Sequence, residues 1–453
     1  MSYLHFDKTL MINLEESLPR EILRTNKSGA YHCTTIVDCN TRKYHGLLVI
    51  PVPNLDDENH VLLSSLDETV IQHGAEFNLG LHKYQGNHFS PNGHKYIREF
   101  DCEHIPATTY RVGGVILRKE KIFVHHENRI LIRYTLVDAH SATTLRFRPF
   151  LAFRSVREYT HENSQASRDY QLVENGIKTC MYPGYPELFM QLNKKNEFHY
   201  EPNWYRGIEY PKEQERGYDF NEDLYVPGYF EVDIKKGESI IFSAGISEIS
   251  PRRLKQTFEA EVADRTPRDS FYHCLKNSAH QFHNKQEEDH YILAGYPWFK
   301  CRARDMFVSL PGLTLAVDEI GEFEDVMETA RKGYWKASPE QLSNIAKLHT
   351  DLVRQFGPSG SGFTGDNAKL QQFIASQVDA QTAANYNKEL KQKKQATLDG
   401  EATKGGMVLK KQSSDAVQGA QEEQNSLNGG LIAGIVLVAF VVMLLILKKK
   451  RKK

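Results

Sequence analysis

Between Gly295 and Leu315 the chain reads GYPWFKCRARDMFVSLPGLTL, which sets an aromatic pair, Trp298 and Phe299, just ahead of a charged pair, Arg304 and Asp305. Flat rings beside a guanidinium and a carboxylate suit a ligand with C–H faces and a rim of hydroxyls, a sugar above all. The same residues also read as packing at a domain junction, with Arg304 and Asp305 capping a helix. A second stretch, around RGYDFNEDLYVPGYF, interleaves Glu209, Glu213, Arg216, Asp219, Glu222 and Asp223 with Tyr210, Tyr218 and Tyr225, and reads as a loop. Its charges can line a binding site or simply be solvated. In NTRKYHGLLV, Arg42, Tyr44 and His45 fall at a domain interface or at the start of a strand, and the structural role is the simpler one. His280, His283 and His290, with Glu287 and Asp289, lack the spacing of a metal motif and read as surface histidines. No cofactor and no metal are implied.

These residues need a scaffold, and the chain is long enough for one. Its 453 residues, 40% of them hydrophobic, allow about three domains and a sizeable core. With 57 basic against 58 acidic residues, no global field draws it to nucleic acid. The six cysteines have neither zinc-site spacing nor the density of a disulfide scaffold, and read as reduced, mostly buried thiols. Up to about Phe282 the dominant signal is period-two alternation. In RILIRYTLV, Ile130, Ile132, Tyr134 and Leu136 share one face against Arg129, Arg133 and Thr135 on the other. TTLRFRPFLAF and SIIFSAGIS are further strands, so a large antiparallel sandwich is expected. Around Ser270 the period changes. DEIGEFEDVMETARK places Phe323, Val326, Met327 and Ala330 on one helical face, and Pro311-Gly312 should kink or break the helix before it.

Three stretches, SGAYHCTTIVDCNTRKYHGLLV, NWYRGIEYPKEQERGYDFNEDLYVPGYF and AGYPWFKCRARDMFVSLPGLTL, together resemble the bacterial and archaeal glycogen debranching enzymes, the amylo-α-1,6-glucosidases, as does LLSSLDETV. The resemblance covers about residues 1–332 and departs from the family at Lys300 to Ala303, where Asp-Trp-Gly is expected before Arg-Asp. It implies a mainly β fold: an N-terminal antiparallel super-sandwich over 1–285, then the start of an (α/α)6 glycosidase barrel over 286–332. It implies an α-glucan partner of the glycogen type, gripped by Trp298, Phe299, Arg304 and Asp305, with Tyr218, Glu222 and Asp223 on a loop over the barrel mouth. Hydrolysis needs two flanking carboxylates, which in that family lie further along the barrel than this chain carries the pattern. The chain therefore reads as truncated or chimeric, with no catalytic residue assigned and little activity of its own. The barrel helices, lacking their neighbours, should be poorly covered.

Past residue 332 the composition changes. Residues 333–390 read as short helices and, over Gly333 to Gln377, resemble the C-terminal end of the cobalt chelatase large subunit; 391–428 read as a polar linker. The uncharged run 429–447, at about 1.5 Å per residue, covers about 28 Å and reads as a transmembrane helix, followed by the basic tail 448–453. The expected localisation is a single-pass C-terminal membrane anchor with the bulk of the chain cytoplasmic, since no secretory signal is visible at the start. The lysines after the span place the tail inside and the bulk outside, so the two cues point opposite ways. Competing functional classes are a noncatalytic glucan-binding module on a membrane anchor and a cobalt chelatase component. Deletion of 429–453 is expected to move the protein from the membrane pellet to the soluble fraction, and a full chain that is soluble without detergent would refute the span.

Overall fold

The computed structural model describes residues 3–56 and 58–333, so the helical segment, linker and membrane span expected beyond 333 lie outside the described residues. Among the described residues, no helix is long and apolar enough to cross a membrane. The chain divides into two compact units, Met1–Lys300 and Cys301–Lys453.

The first unit is built from the expected alternation. Its described residues form two large sheets in which every pairing is antiparallel. In the ten-stranded sheet, Asn59–Gln72 and Thr143–Ser155 are central, flanked by Gly46–Pro51, Tyr31–Thr35 and Glu21–Thr25 on one side and by Asn221–Ile234 and Glu197–Glu209 on the other. The nine-stranded sheet runs from His5–Asp7 through Val115–Phe123 and Arg129–Asp138 to Ser239–Gly245, then Leu188–Leu192, and ends at Tyr170–Val173. The inner faces meet in an aromatic spine: Tyr134 and Phe242 of one sheet touch Phe147 of the other at 4.7 and 5.9 Å between ring centres. Tilted aromatic pairs add about 0.5–1.5 kcal/mol each beyond the area they bury.

The strand Arg129–Asp138 shows where alternation misleads. Leu131, on its expected polar side, is fully buried, because the helix Leu254–Ala263 covers that outer face with Leu254 and Phe258. Arg133 stays there by laying its guanidinium over the Phe258 ring at 4.4 Å. Arg129 is buried too, its guanidinium donating to Ser243 Oγ at 2.8 Å and to the Ser247 carbonyl at 2.8 Å. The stretch Arg216 to Phe230, expected as a loop, is a loop only to Phe220. Asn221–Ile234 is a strand between Thr143–Ser155 and Glu197–Glu209, with Glu222 at a buried position that Arg154 neutralises. Helices also arrive earlier than expected, at Leu254–Ala263 and Phe271–His280. A small sheet follows, opening with the antiparallel hairpin of His283–Gln286 and Asp289–Gly295, in which His283 is buried rather than on the surface.

Buried charge sits between the large sheets. Lys119 and Lys121 project from Val115–Phe123; Lys119 reaches Asp38 at 2.9 Å and pairs with Glu68, while Lys121 pairs with the other oxygen of Asp38. The Tyr134 hydroxyl donates to Glu68. Burial alone would raise the Asp38 carboxyl, but the two ammonium groups outweigh it and hold it well below the usual carboxylate range.

In the second unit the described residues form the helix Ala303–Leu313, a short 3-10 turn and the helix Ile320–Gly333. Pro311 is accommodated within the first helix, which ends two residues later instead of kinking. Phe323, Val326, Met327 and Ala330 share a face as expected, and all four are buried, against the expectation of poor cover.

Lys119→Met should lower the unfolding free energy by about 3–5 kcal/mol, since it leaves two buried carboxylates facing one lysine. Urea unfolding checks this, and a loss under about 1 kcal/mol would show that the cluster is compensated by solvent.

Candidate functional site

The loop Thr41 to His45 leads into the strand Gly46–Pro51 and carries three side chains in a row, Arg42 and Lys43 half-buried and Tyr44 buried. It is held from behind. The His45 amide donates to the Arg42 carbonyl at 3.0 Å, the Thr41 amide to His45 Nδ1 at 3.1 Å, and the Tyr31 hydroxyl to the Tyr44 carbonyl at 2.9 Å. Gly46 closes it, where any side chain would strike Val49 at 2.7 Å. With the backbone fixed, Arg42 bonds Glu21 at 2.7 Å and lies 5.6 Å over the Trp298 ring, while Tyr44 meets Trp298 edge-on at 6.5 Å. The Lys43 ammonium stands 5.6, 5.8 and 5.9 Å from the ring centres of Tyr44, Tyr159 and Tyr218. Burial pulls its pKa below the ordinary lysine value; Glu213 opposes this, and Arg157, Arg154 and Arg216 add to it.

A buried ion pair forms the floor. Glu222 is fully buried, paired with Arg154, accepting from the Tyr210 hydroxyl and from the Thr160 amide at 3.0 Å. Burial opposes the Arg154 charge, but Glu222 overrides it and raises its pKa. Tyr159 stacks on Tyr210 at 6.0 Å and 20° and donates to the Asp219 carbonyl. The turn after the short helix Pro211–Glu215 completes the cluster. The Lys212 amide donates to the Thr41 carbonyl at 3.0 Å, and the Tyr218 amide to the Glu213 carbonyl at 3.1 Å. Glu213 itself is fully buried, yet among the described residues neither carboxylate oxygen has a hydrogen bond; Arg216 Nη1 lies 3.6 Å away.

The structure sorts the residues singled out from the sequence. Trp298, half-buried, and Phe299, 45% exposed, belong to the first unit, where Trp298 adjoins the Arg42–Tyr44 edge. Arg304, exposed, and Asp305 lie in the first turn of Ala303–Leu313, in the second unit. Tyr218 is 55% exposed, with Arg216 stacked on it at 5.0 Å. Glu222 and Asp223 are engaged structurally. Asp223 accepts from the Gly207 amide at 2.9 Å and the Glu162 amide at 3.0 Å, pinning a bulge at which Gly207 takes a φ of 70°. The sequence reading missed Lys43, Arg157 and Tyr159 as site residues. The only local signal for them is the basic-aromatic run Arg42-Lys43-Tyr44, since their meeting depends on strands over a hundred residues apart.

Glu21, Cys33 and His45 bring ligand atoms within 4.8 Å of one another, but the set does not suit a cation. His45 Nδ1 accepts from Thr41, so the neutral ring carries its proton on Nε2, the nitrogen 3.6 Å from Glu21. Arg42 already occupies Glu21, and burial pushes the Cys33 thiol up, away from the thiolate a metal needs.

The fold and this surface together define an antiparallel two-sheet domain with an aromatic and charged rim. Residues 20–241 match the family model described as glycogen debranching enzyme N terminal, which aligns the sandwich with a glycogen debranching-like family. Among solved structures, a bacterial glucoamylase complexed with acarbose aligns at a TM-score of 0.34 and 9% identity, over 74% of this chain and 51% of its own. A polysaccharide lyase aligns at 0.21 and 11% identity, over 52% of this chain and 34% of its own. The chain thus spans about half of that glucoamylase. None of the curated proteins compared matches it.

The Glu21 carboxyl, which burial alone would raise, is held down to about 2 by His45 and Arg42. A depressed carboxylate contributes stability above its unfolded value near 4.5 and loses it as pH falls toward 2. Glu21→Gln should therefore be less stable than wild type at pH 7, with a gap that closes between pH 4.5 and 2. Urea midpoints across that range check it; a gap independent of pH would refute the pairing.

Proposed function

We propose that this chain handles α-glucan of the glycogen type, as a binding surface rather than a complete hydrolase. The observation that carries this reading is the family match over residues 20–241, which covers the loop Thr41 to His45, Tyr159 and Tyr218. The chemistry of the surface agrees with it. Trp298 and Tyr218 offer rings to the C–H faces of glucosyl units, and Arg42, Lys43 and Arg216 offer donors to hydroxyls. The amylo-α-1,6-glucosidase form of this reading carries over Arg304 and Asp305 of the second unit as glucose-gripping residues from the sequence resemblance alone.

Catalysis needs one carboxylate to protonate the leaving oxygen and a second to activate water or attack carbon. Of the acidic residues at this site, Glu222 is engaged by Arg154, Asp223 holds backbone amides, and Glu213 is buried beside Arg216. One unengaged carboxylate is not the pair that hydrolysis needs, and the reading is therefore one of binding.

Affinity electrophoresis in glycogen tests the reading. The full chain should be retarded, and Trp298→Ala should weaken retardation about tenfold, the effect of losing one stacked ring at about 1.4 kcal/mol. Equal mobility with and without glycogen would refute it. Glucose release from a branched limit dextrin should be far below the median enzyme rate of roughly 10 per second, and turnover near that rate would return the chain to the hydrolases.

A further inference from the structure

Three residues at the rim of the first unit are left incomplete by the fold. Glu213 is fully buried, and among the described residues its two carboxylate oxygens accept no hydrogen bond, with Arg216 Nη1 at 3.6 Å. A buried polar group in that state is costly, the more so when charged, and a donor from a ligand would relieve it. Lys43 carries three N–H donors, and among the described residues the one acceptor within reach is the Arg157 carbonyl at a long 3.4 Å. Tyr218 turns more than half its surface to solvent. All three belong to one cluster, since the Lys43 ammonium is ringed by Tyr44, Tyr159 and Tyr218, and the charge of Glu213 acts on Lys43 and Tyr159 alike.

We infer that Lys43, Glu213, Arg216 and the rings of Tyr44, Tyr159 and Tyr218 form a subsite for one glucosyl unit of an α-glucan. The inference rests on the glucan reading above and gives it an address. The charge pattern selects the ligand class. A phosphate would meet the Glu213 carboxylate, and a cation would meet Lys43, Arg157 and Arg216. A neutral polyol suits both: its hydroxyls donate to Glu213 and accept from Lys43 and Arg216, and its C–H faces lie on the exposed Tyr218 and the half-buried Tyr159, with Tyr44 packed behind Lys43. Access runs through the turn Arg216 to Tyr218, whose two long side chains are exposed and whose backbone is pinned by the Glu213 carbonyl. For a sugar hydroxyl to reach the buried carboxylate, those two side chains must swing aside. The floor of Arg154, Glu222 and Tyr210 stays in place beneath.

Isothermal titration of the full chain with maltoheptaose, and separately with inorganic phosphate, tests this. Wild type should bind maltoheptaose and not phosphate. Glu213→Gln and Lys43→Met, each close to the size of the original, should weaken maltoheptaose binding by about tenfold or more, with circular dichroism unchanged. A measurement on the unaltered protein stands beside these: maltoheptaose should slow reductive methylation of Lys43, read by peptide mass, and phosphate should not. Wild type that binds maltoheptaose with both variants and Lys43 methylation unaffected would overturn the subsite and leave the glucan reading standing. Wild type that binds neither maltoheptaose nor glycogen would overturn both. Phosphate binding that Lys43→Met abolishes would replace the sugar with an anion.

Discussion

The buried charge cluster of Lys119, Lys121, Asp38 and Glu68 is the constraint on which the sandwich depends. Four ionisable side chains from both sheets and from the turn after Tyr31–Thr35 are balanced only when the sheets face each other in one register. A slip of one residue would turn both lysines to the opposite face and strand the carboxylates in apolar surroundings. Asp38 adopts a left-handed φ of 59°, a conformation that aspartate tolerates better than most residues, and its turn leads directly into the loop Thr41 to His45. The cluster therefore fixes the sheets and, through the same turn, the placement of Lys43 at the rim.

Two buried glutamates nine residues apart show opposite solutions to burial. Glu222 has a guanidinium, a phenol and a backbone amide as partners, which makes it part of the framework. Glu213, in the middle of the short helix Pro211–Glu215, has among the described residues only Arg216 at ion-pair distance and no hydrogen bond. A framework position and an open valence can thus be told apart by satisfaction, not by burial or sequence. Both lie in the same acidic and aromatic stretch, and in the linear chain Glu222 looks the better binding residue.

What could be read in the sequence was what is local. Period-two alternation found the strands Arg129–Asp138, Thr143–Ser155 and Ser239–Gly245, and helical spacing found the buried face of Ile320–Gly333. Where a second layer covered a strand, alternation misassigned the outer face: Leu131 lies beneath a helix over a hundred residues away in the chain. The loop reading of Asn221 to Phe230 failed for a related reason, since Glu222 and Asp223 look solvated until Arg154 and the Gly207 bulge supply their partners. At the rim, Trp298 and Tyr218 were visible as aromatics beside charge. Lys43 was not, because its three rings come from three separate segments.

The strand Ser239–Gly245 lies between Arg129–Asp138 and Leu188–Leu192, although it is the last strand of either large sheet to be made. Until it inserts, the nine-stranded sheet is two separate pieces, each with an apolar strand whose backbone donors and acceptors are unpaired. Closure of this sheet is a contact of high sequence separation, the kind that slows folding. During synthesis the ribosome must deliver residue 245 before those two edges are sealed, so the emerging chain passes through a period of exposure to strand-to-strand aggregation that chaperones are suited to guard.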